Sequence, residues 1–320
     1  MKQDAFDKLF QEVAQRQMDT NGAGVASLGI ALGFSRIDDA IGGLRKDTMT
    51  TIAARTGMGK TSLALSIVYS AACRGHKISY ISLEMSETML ILRLLSMLTG
   101  IQPNDIERGR MSKDQVLELR TAVDHLITLP INIIEKGLTS DQISDYTGNN
   151  YPDTELLVID HIGILRDPIT DRYTKMSTVS NNVRAVARDL NIPIIALAQL
   201  NRQADNRENH TPTAADLRDS GAIEEDSEII LFPFRPQYYL QNDPNTPEIR
   251  PGEAERNAQI IIAKNRQGAP GAFNVWFYPH STLWTDKTPP ARLPTPGQQY
   301  TQPPRQFVSG NLANMAKKGL

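Results

Sequence analysis

One stretch constrains this chain more than any other: Ala54-Arg55-Thr56-Gly57-Met58-Gly59-Lys60-Thr61. It follows Thr48-Met49-Thr50-Thr51-Ile52-Ala53, a β-branched run that reads as a buried strand. It precedes Ser62-Leu63-Ala64-Leu65-Ser66-Ile67-Val68-Tyr69, whose apolar spacing suits a helix packed against a sheet. Strand, glycine loop, Gly-Lys-Thr and helix, in that order, form the context of a phosphate-binding loop. The glycines let backbone N–H groups converge on phosphate oxygens, and the helix N-terminus adds a partial positive charge. Lys60 can reach β- and γ-phosphates, and the Thr61 hydroxyl can hold Mg²⁺. The usual first glycine is Ala54 here, at a position that only has to turn the chain. The candidate nucleotide-binding residues are thus Ala54, Arg55, Thr56, Gly57, Met58, Gly59, Lys60, Thr61 and Ser62.

The rest of the chain supplies a fold around that loop. Strands are predicted at 78–83, 131–134, 156–160, 193–198, 228–234, 259–264 and 273–277, and helices at 86–98, 113–126 and 176–190. A short helix between Gly33 and Gly42-Gly43 ends in a glycine cap. Strands alternating with helices imply an α/β fold with a largely parallel sheet, in which ligands bind at the carboxyl ends of the strands. Three polar residues fall at such ends: Glu84, Asp160 and Gln199. Residues 201–213, polar and rich in Arg, Asn and Asp, read as a mobile loop, and 236–251 as a Pro/Asn-rich excursion. No internal repeat is evident.

Composition excludes several classes. Among 320 residues, 40% are hydrophobic and 22% charged, ordinary for a soluble globular protein. The formal net charge of −2 means that any nucleic-acid contact must come from a local cluster of Lys and Arg. A single cysteine, Cys73, rules out an internal disulfide and fits a reducing compartment. No apolar run approaches the ~18 residues of a membrane helix, and the N-terminus has no signal-peptide core, so the expected location is cytoplasmic. Residues 4–18 carry Phe6, Leu9, Phe10 and Val13 at helical spacing on a flexible tether, 19–24. That amphipathic helix either folds back on its own domain or docks on a neighbouring subunit. From Lys287 onward the chain is rich in Pro, Gln and Thr and reads as a disordered tail, with a short basic helical turn at 311–318.

Phosphoryl transfer to water needs a clamp for charge, a metal, and a group that positions or deprotonates the water. Lys60 and Thr61 supply the clamp and one metal ligand. Asp160, after four apolar residues, is the carboxylate expected to hold the Mg²⁺ shell through water. Glu84 is the candidate for polarising the nucleophilic water, although an acidic residue at a helix start is also favoured by the dipole alone. Gln199 is placed to bond the γ-phosphate and report its loss to the following loop.

The chain resembles the ATPase domain of bacterial and phage replicative DNA helicases of the DnaB type, with a RecA-like P-loop NTPase fold. The likeness covers roughly residues 24–286, with 1–23 as a linker helix and linker and 287–320 as the tail. It rests on the phosphate loop, on Ser82-Leu83-Glu84-Met85-Ser86, on Leu157-Val158-Ile159-Asp160 and on Ala198-Gln199-Leu200-Asn201-Arg202. Two further motifs follow in the same order, Asp216–Glu224 and Ile261–Gly268. The resemblance implies ATP with Mg²⁺, a homo-hexameric ring, and ATP bound between subunits. Lys264 and Arg266, on one face of a strand, would then reach the γ-phosphate of the neighbour's nucleotide. It implies that Arg218, Asp219 and Gly221 line a central channel for single-stranded DNA. Arg202 and Arg207 are added candidates, and a loop at 166–175 is a further one by the same analogy. It further implies forked DNA as substrate, 5′-to-3′ translocation, and a helicase loader and a primase as partners, and it favours docking of the linker helix on the adjacent subunit. Family members carry a globular N-terminal domain that pairs subunits and binds primase; only residues 1–23 precede the ATPase domain here. The chain therefore reads as a compact phage or mobile-element helicase or as an excised domain. Two alternatives stay open at this stage: a RecA-type recombinase, and a non-unwinding accessory or loader ATPase.

Overall fold

The structure is a computed structural model and describes residues 28–201, 207, 210–240, 246, 248–255 and 257–287. The predicted linker helix and all but the first residue of the predicted tail lie outside those residues.

Eight strands carry the fold: β1 (Met49–Ala54), β2 (Ile78–Ser82), β3 (Ile131–Ile134), β4 (Leu156–Asp160), β5 (Ile194–Gln199), β6 (Ile229–Phe234), β7 (Gln259–Asn265) and β8 (Gly271–Asn274). They form one sheet in the order β3-β2-β4-β5-β1-β6-β7-β8. The first six are mutually parallel, and β7 and β8 are antiparallel additions. β1, β2, β4 and β6 are buried at every position, which is why they read as near-continuous apolar runs: a parallel sheet is covered on both faces. Period-two alternation divides those residues between two cores. Ile52, Tyr80, Val158, Ile195 and Leu231 face one layer, and Ala53, Ile81, Ile159, Ala196 and Phe232 the other.

The first layer contains α1 (Ser35–Ile41), α2 (Lys60–Ala72), α3 (Glu87–Thr99) and α5 (Lys113–Thr128), with a five-residue helix α4 (Pro103–Glu107) between the last two. The second contains α6 (Gln142–Asn150) and α7 (Arg172–Asp189). α1 ends as expected on Gly42, at φ 71°, whose N–H donates to the Asp38 carbonyl. Ser86 caps α3 and Ser112 opens a capping box with Gln115 on α5. Among the apolar residues of α5 only Ala122 is buried, and Val116, Leu117 and Ile127 are exposed.

Four boundaries differ from the sequence reading. α7 begins at Arg172, because Asp171 accepts from the Thr174 N–H as its cap; the loop expected at 166–175 is therefore shorter and its last four residues are helical. The segment expected as a DNA-contacting loop is a 3-10 stretch, Ala214–Ser220, running into α8 (Gly221–Asp226). A short helix α9 (Pro236–Tyr239) opens the excursion after β6. The single strand expected at 273–277 is two: β8 ends at Asn274, the Val275 N–H extends its ladder to the Ala258 carbonyl, and β9 (Trp276–Tyr278) pairs instead with β10 (Leu283–Thr285) in a separate ribbon. That ribbon sets Trp284, almost wholly buried, against α2 and the Phe277 ring, 4.7 Å between centroids.

Candidate nucleotide site

The phosphate loop joins β1 to α2. Gly57 (φ 84°) and Gly59 (φ 90°) both lie in the left-handed region, so the turn needs residues without a Cβ. Space says the same. A Cβ on Gly57 would come within 2.5 Å of the Tyr238 hydroxyl, and one on Gly59 within 2.9 Å of the Trp284 indole nitrogen. α2 therefore starts at Lys60 with its first backbone N–H groups free of side-chain caps and aimed at the loop, an anion-binding arrangement. Ala54 ends β1 without distortion and pairs with Gln199, so the missing first glycine costs the turn nothing.

Three strand ends converge on this loop. Asp160 is buried, and its Oδ2 accepts from the Thr61 hydroxyl at 2.8 Å and from the Tyr80 hydroxyl at 2.8 Å. Its Oδ1 lies 3.7 Å from the Lys60 ammonium and has no hydrogen-bond partner among the described residues. Burial pulls the Lys60 ammonium below its usual range, and the carboxylates of Asp160 and then Glu84 oppose the shift. Burial first, and the Asp160 charge second, push the Tyr80 phenol well above its ordinary value, so it remains a donor.

A buried carboxylate oxygen without a donor is costly unless something fills the place. A Thr hydroxyl beside such an oxygen suits Mg²⁺, which takes oxygen ligands, keeps several waters and accepts the rest of its shell from phosphates.

Glu84 leaves β2 next to this centre, where the Leu83 N–H donates to the Asp160 carbonyl at 2.7 Å. Its side chain is 55% exposed, against 1% for Asp160, so Glu84 can meet solvent water while Asp160 cannot. His161 Nε2 lies 3.9 Å from Glu84 Oε2, and the Gly163 N–H donates to His161 Nδ1 at 3.2 Å. Burial and then the Lys60 charge hold that imidazole below its ordinary pKa. Gln199 Nε2 donates to the Thr56 hydroxyl at 3.0 Å, and Arg55 Nη1 to the Leu200 carbonyl at 3.0 Å. Lys60, Thr61, Glu84, Asp160 and Gln199 are thus together at one end of the sheet.

Several residues that sequence reasoning missed hold the loop from behind. Arg235 Nη1 donates to the Gly57 carbonyl at 2.7 Å, and Arg235 makes a two-pronged ion pair with the buried Glu255, one prong at 2.8 Å. Its guanidinium also lies 4.2 Å from the Phe277 ring centroid. The Trp284 indole donates to the Gly59 carbonyl at 3.2 Å and its backbone N–H to the Ser66 hydroxyl. Arg93 reaches the Ser62 hydroxyl at 3.3 Å. An Arg at the end of an apolar strand is the only sequence signal among these, and it gives no partner.

Lys264 and Arg266 are elsewhere. Because β7 runs antiparallel to β6, Asn265 pairs with Ile229, which in turn pairs with Thr50 at the start of β1. The two cations therefore sit at the end of the sheet opposite the phosphate loop of their own chain. Lys264 Nζ donates to the Glu224 carbonyl and Arg266 Nη2 to the Glu225 carbonyl, at the C-terminus of α8. They share a face, as alternation predicts. Burial and the neighbouring Arg266 lower the Lys264 pKa.

The DNA candidates are less uniform. Arg207 is committed to the buried Asp216 and to the Thr211 carbonyl, which ties the loop to the 3-10 stretch. Arg218 and Asp219 lie on that stretch and Gly221 opens α8, with nothing within 4 Å of where its Cβ would stand. Arg202 lies outside the described residues. Among the described helices none is long and apolar enough to cross a membrane.

Comparison with known proteins places this geometry. The chain is 32% identical over 289 residues to a replicative DNA helicase DnaB of Helicobacter pylori, spanning 81% of this chain and 59% of the relative. It is 30% identical over 292 residues to a probable replicative DNA helicase of Trieres chinensis, spanning 88% and 62%. It thus covers about three fifths of the length of these curated relatives. Among solved structures, one ATPase domain superposes with a TM-score of 0.79 at 26% identity, covering 90% of this chain and 99% of that one. A DnaB-like replicative helicase solved with its primase interactions superposes with 0.75 at 26% identity, covering 87% and 66%. The eight-stranded, mostly parallel sheet is thus a RecA-like ATPase fold. The model of the DnaB-like helicase C-terminal domain matches residues 29–286, and the chain belongs to that family.

Proposed function

We propose that this chain is the motor of an ATP-driven, ring-shaped DNA helicase, a homo-hexamer that translocates 5′-to-3′ on single-stranded DNA and separates duplex at a fork. One observation carries the reading. The chain holds a phosphate loop with its carboxylates at one end of the sheet and a pair of cations at the other; in the proposed ring the two halves would meet across a subunit boundary.

The chemistry follows from the side chains. Backbone N–H groups of the loop and the Lys60 ammonium hold the triphosphate. Thr61 and Asp160 would hold Mg²⁺, which supplies neutralisation of charge between the β- and γ-phosphates. Glu84 orients a water molecule and takes its proton as the water oxygen attacks the γ-phosphorus and the bond to the β–γ bridging oxygen breaks. Lys264 and Arg266 of one subunit neutralise the transferring phosphoryl in the neighbour, which ties hydrolysis to ring geometry. Gln199, hydrogen-bonded to Thr56, connects the γ-phosphate position to the segment after β5.

Arg218 and Arg202 by their guanidinium groups, and Asp219 and Gly221 by backbone N–H groups, grip the phosphates of one strand; such contacts are sequence-independent and salt-sensitive. Arg207 serves this grip through Asp216 rather than by a free side chain. The primase named with one structural neighbour and a helicase loader are the expected partners, and the working place is the cytoplasm where the DNA is.

The test is strand separation with ATP and Mg²⁺ on forked duplexes carrying either a 5′ or a 3′ loading tail, with Glu84→Gln as the blank. Unwinding that requires the 5′ tail is expected. DNA-stimulated hydrolysis with no strand separation on either substrate would replace the helicase by a recombinase-like or accessory ATPase.

A further inference from the structure

We propose that Tyr80 is a positioning residue for Asp160: its hydroxyl fixes which carboxylate oxygen faces the nucleotide-bound metal. The proposal rests on the reading that Asp160 serves Mg²⁺.

Tyr80 lies in the middle of β2, opposite Val158 of β4. Asp160 is two residues further along the same face of β4, within diagonal reach of a long aromatic side chain. The ring packs in the apolar layer with Val158, Leu90 and Leu94, and the residue is 1% exposed. Packing alone would be met by Phe or Ile. A hydroxyl placed there needs a partner, because an unpaired phenol in an apolar layer is unfavourable. It finds Asp160 Oδ2 at 2.8 Å.

The consequence lies in the count of donors. Oδ2 also accepts from the Thr61 hydroxyl at 2.8 Å, so two donors occupy the roughly two lone-pair directions of that oxygen. Oδ1 is left without a hydrogen bond and on the side of the Lys60 ammonium. Of the two donors, Thr61 belongs to the phosphate loop and answers to the nucleotide. Tyr80 is anchored in the sheet core and stays put. It therefore keeps Oδ2 turned inward and Oδ1 turned to the metal when the loop rearranges around phosphate. Outer donors of this kind orient the groups that serve a metal.

Tyr80→Phe removes the hydroxyl and keeps the ring. The measurement is Mn²⁺ binding by electron paramagnetic resonance to the full chain with saturating ADP, alongside ADP binding in EDTA and the Mg²⁺ concentration that half-saturates ATPase. The expected result is about a tenfold weaker Mn²⁺ affinity and a matching rise in the Mg²⁺ requirement, with metal-free ADP binding unchanged. Unaltered Mn²⁺ affinity overturns the proposal, and a lower melting temperature with unaltered affinity assigns the hydroxyl to the core alone. Asp160→Asn distinguishes the two failures. If it leaves Mn²⁺ affinity intact, the metal reading of Asp160 falls and the proposal with it; if it loses affinity while Tyr80→Phe does not, only the role of Tyr80 falls. In the double variant the Phe substitution should weaken Mn²⁺ binding no further, since the hydroxyl acts through the carboxylate.

Discussion

At the carboxyl ends of β1, β2, β4 and β5, the groups that would meet a triphosphate are held by residues distant in the same chain: Tyr80 on Asp160, Arg235 on Gly57, Trp284 on Gly59. At the other end of the sheet, Lys264 and Arg266 rest on backbone carbonyls at the end of a six-residue helix, and Arg266 is exposed. The first arrangement is a finished pocket. The second is a pair of cations on a helix C-terminus, favourable because that end carries partial negative charge; the proposed finger role requires that these contacts be given up for a phosphate. Under the proposed ring, the difference means that one subunit would build its binding half completely and lend its other half to a neighbour.

The largest effect that can break this comparison is at the lent half. Arg266→Ala should lower ATP turnover by about 10³-fold or more, the usual worth of a transition-state arginine, while ADP affinity of the same subunits stays near that of the parent. Mixing Arg266→Ala subunits with Lys60→Ala subunits should restore some activity, because some interfaces then join an intact loop to an intact finger. Turnover close to the parent in Arg266→Ala alone would make these two residues solvated edge charges.

Next in size is the finished half. Glu84→Gln should reduce turnover by about 10²- to 10³-fold with nucleotide binding retained, since Glu84 is exposed and bonded to nothing that shapes the loop. In mixtures with Arg266→Ala subunits it should recover nothing at its own pockets, unlike the finger variant. Recovery there would mean that the base also comes from a neighbour, and the comparison would lose its sharpness.

What the sequence revealed follows the same division. The phosphate loop, Asp160 and Gln199 were legible because each is a local signal, a polar residue or glycine closing a buried apolar strand. Four positions that support them were not. Tyr80 reads as one more large residue in β2, and its hydroxyl acquires meaning only when β4 lies beside it. Arg235 and Glu255 are 20 residues apart across the Pro/Asn-rich excursion. Trp284 joins the site through a ribbon whose strands are three residues each, too short for periodicity. Helix α6 was missed for a related reason: Gln142–Asn150 is polar, contains Gly148, and buries only Ile143 and Thr147. The antiparallel turn of β7, which decides where Lys264 and Arg266 stand, is a matter of topology, and alternation along the strand could give their common face but not their end of the sheet.

The smallest effect tests how far the finished pocket depends on a charge inside it. Arg235→Met leaves the Glu255 carboxylate buried and unpaired, which should cost about 3 kcal/mol or more of unfolding free energy. Denaturant titration would measure it. The double variant Arg235→Met/Glu255→Leu removes both charges and should regain most of that stability, as buried pairs replaced by apolar groups commonly do. Its nucleotide affinity should nevertheless stay lower by up to about tenfold, because the Gly57 carbonyl has lost its charged donor and the loop its fixed conformation. If the double variant regains both stability and ADP affinity, the guanidinium is only a core charge, and the loop is held by its glycines and by Trp284. If stability returns and affinity does not, Arg235 connects the end of β6 to the phosphate loop and holds that loop in its binding conformation.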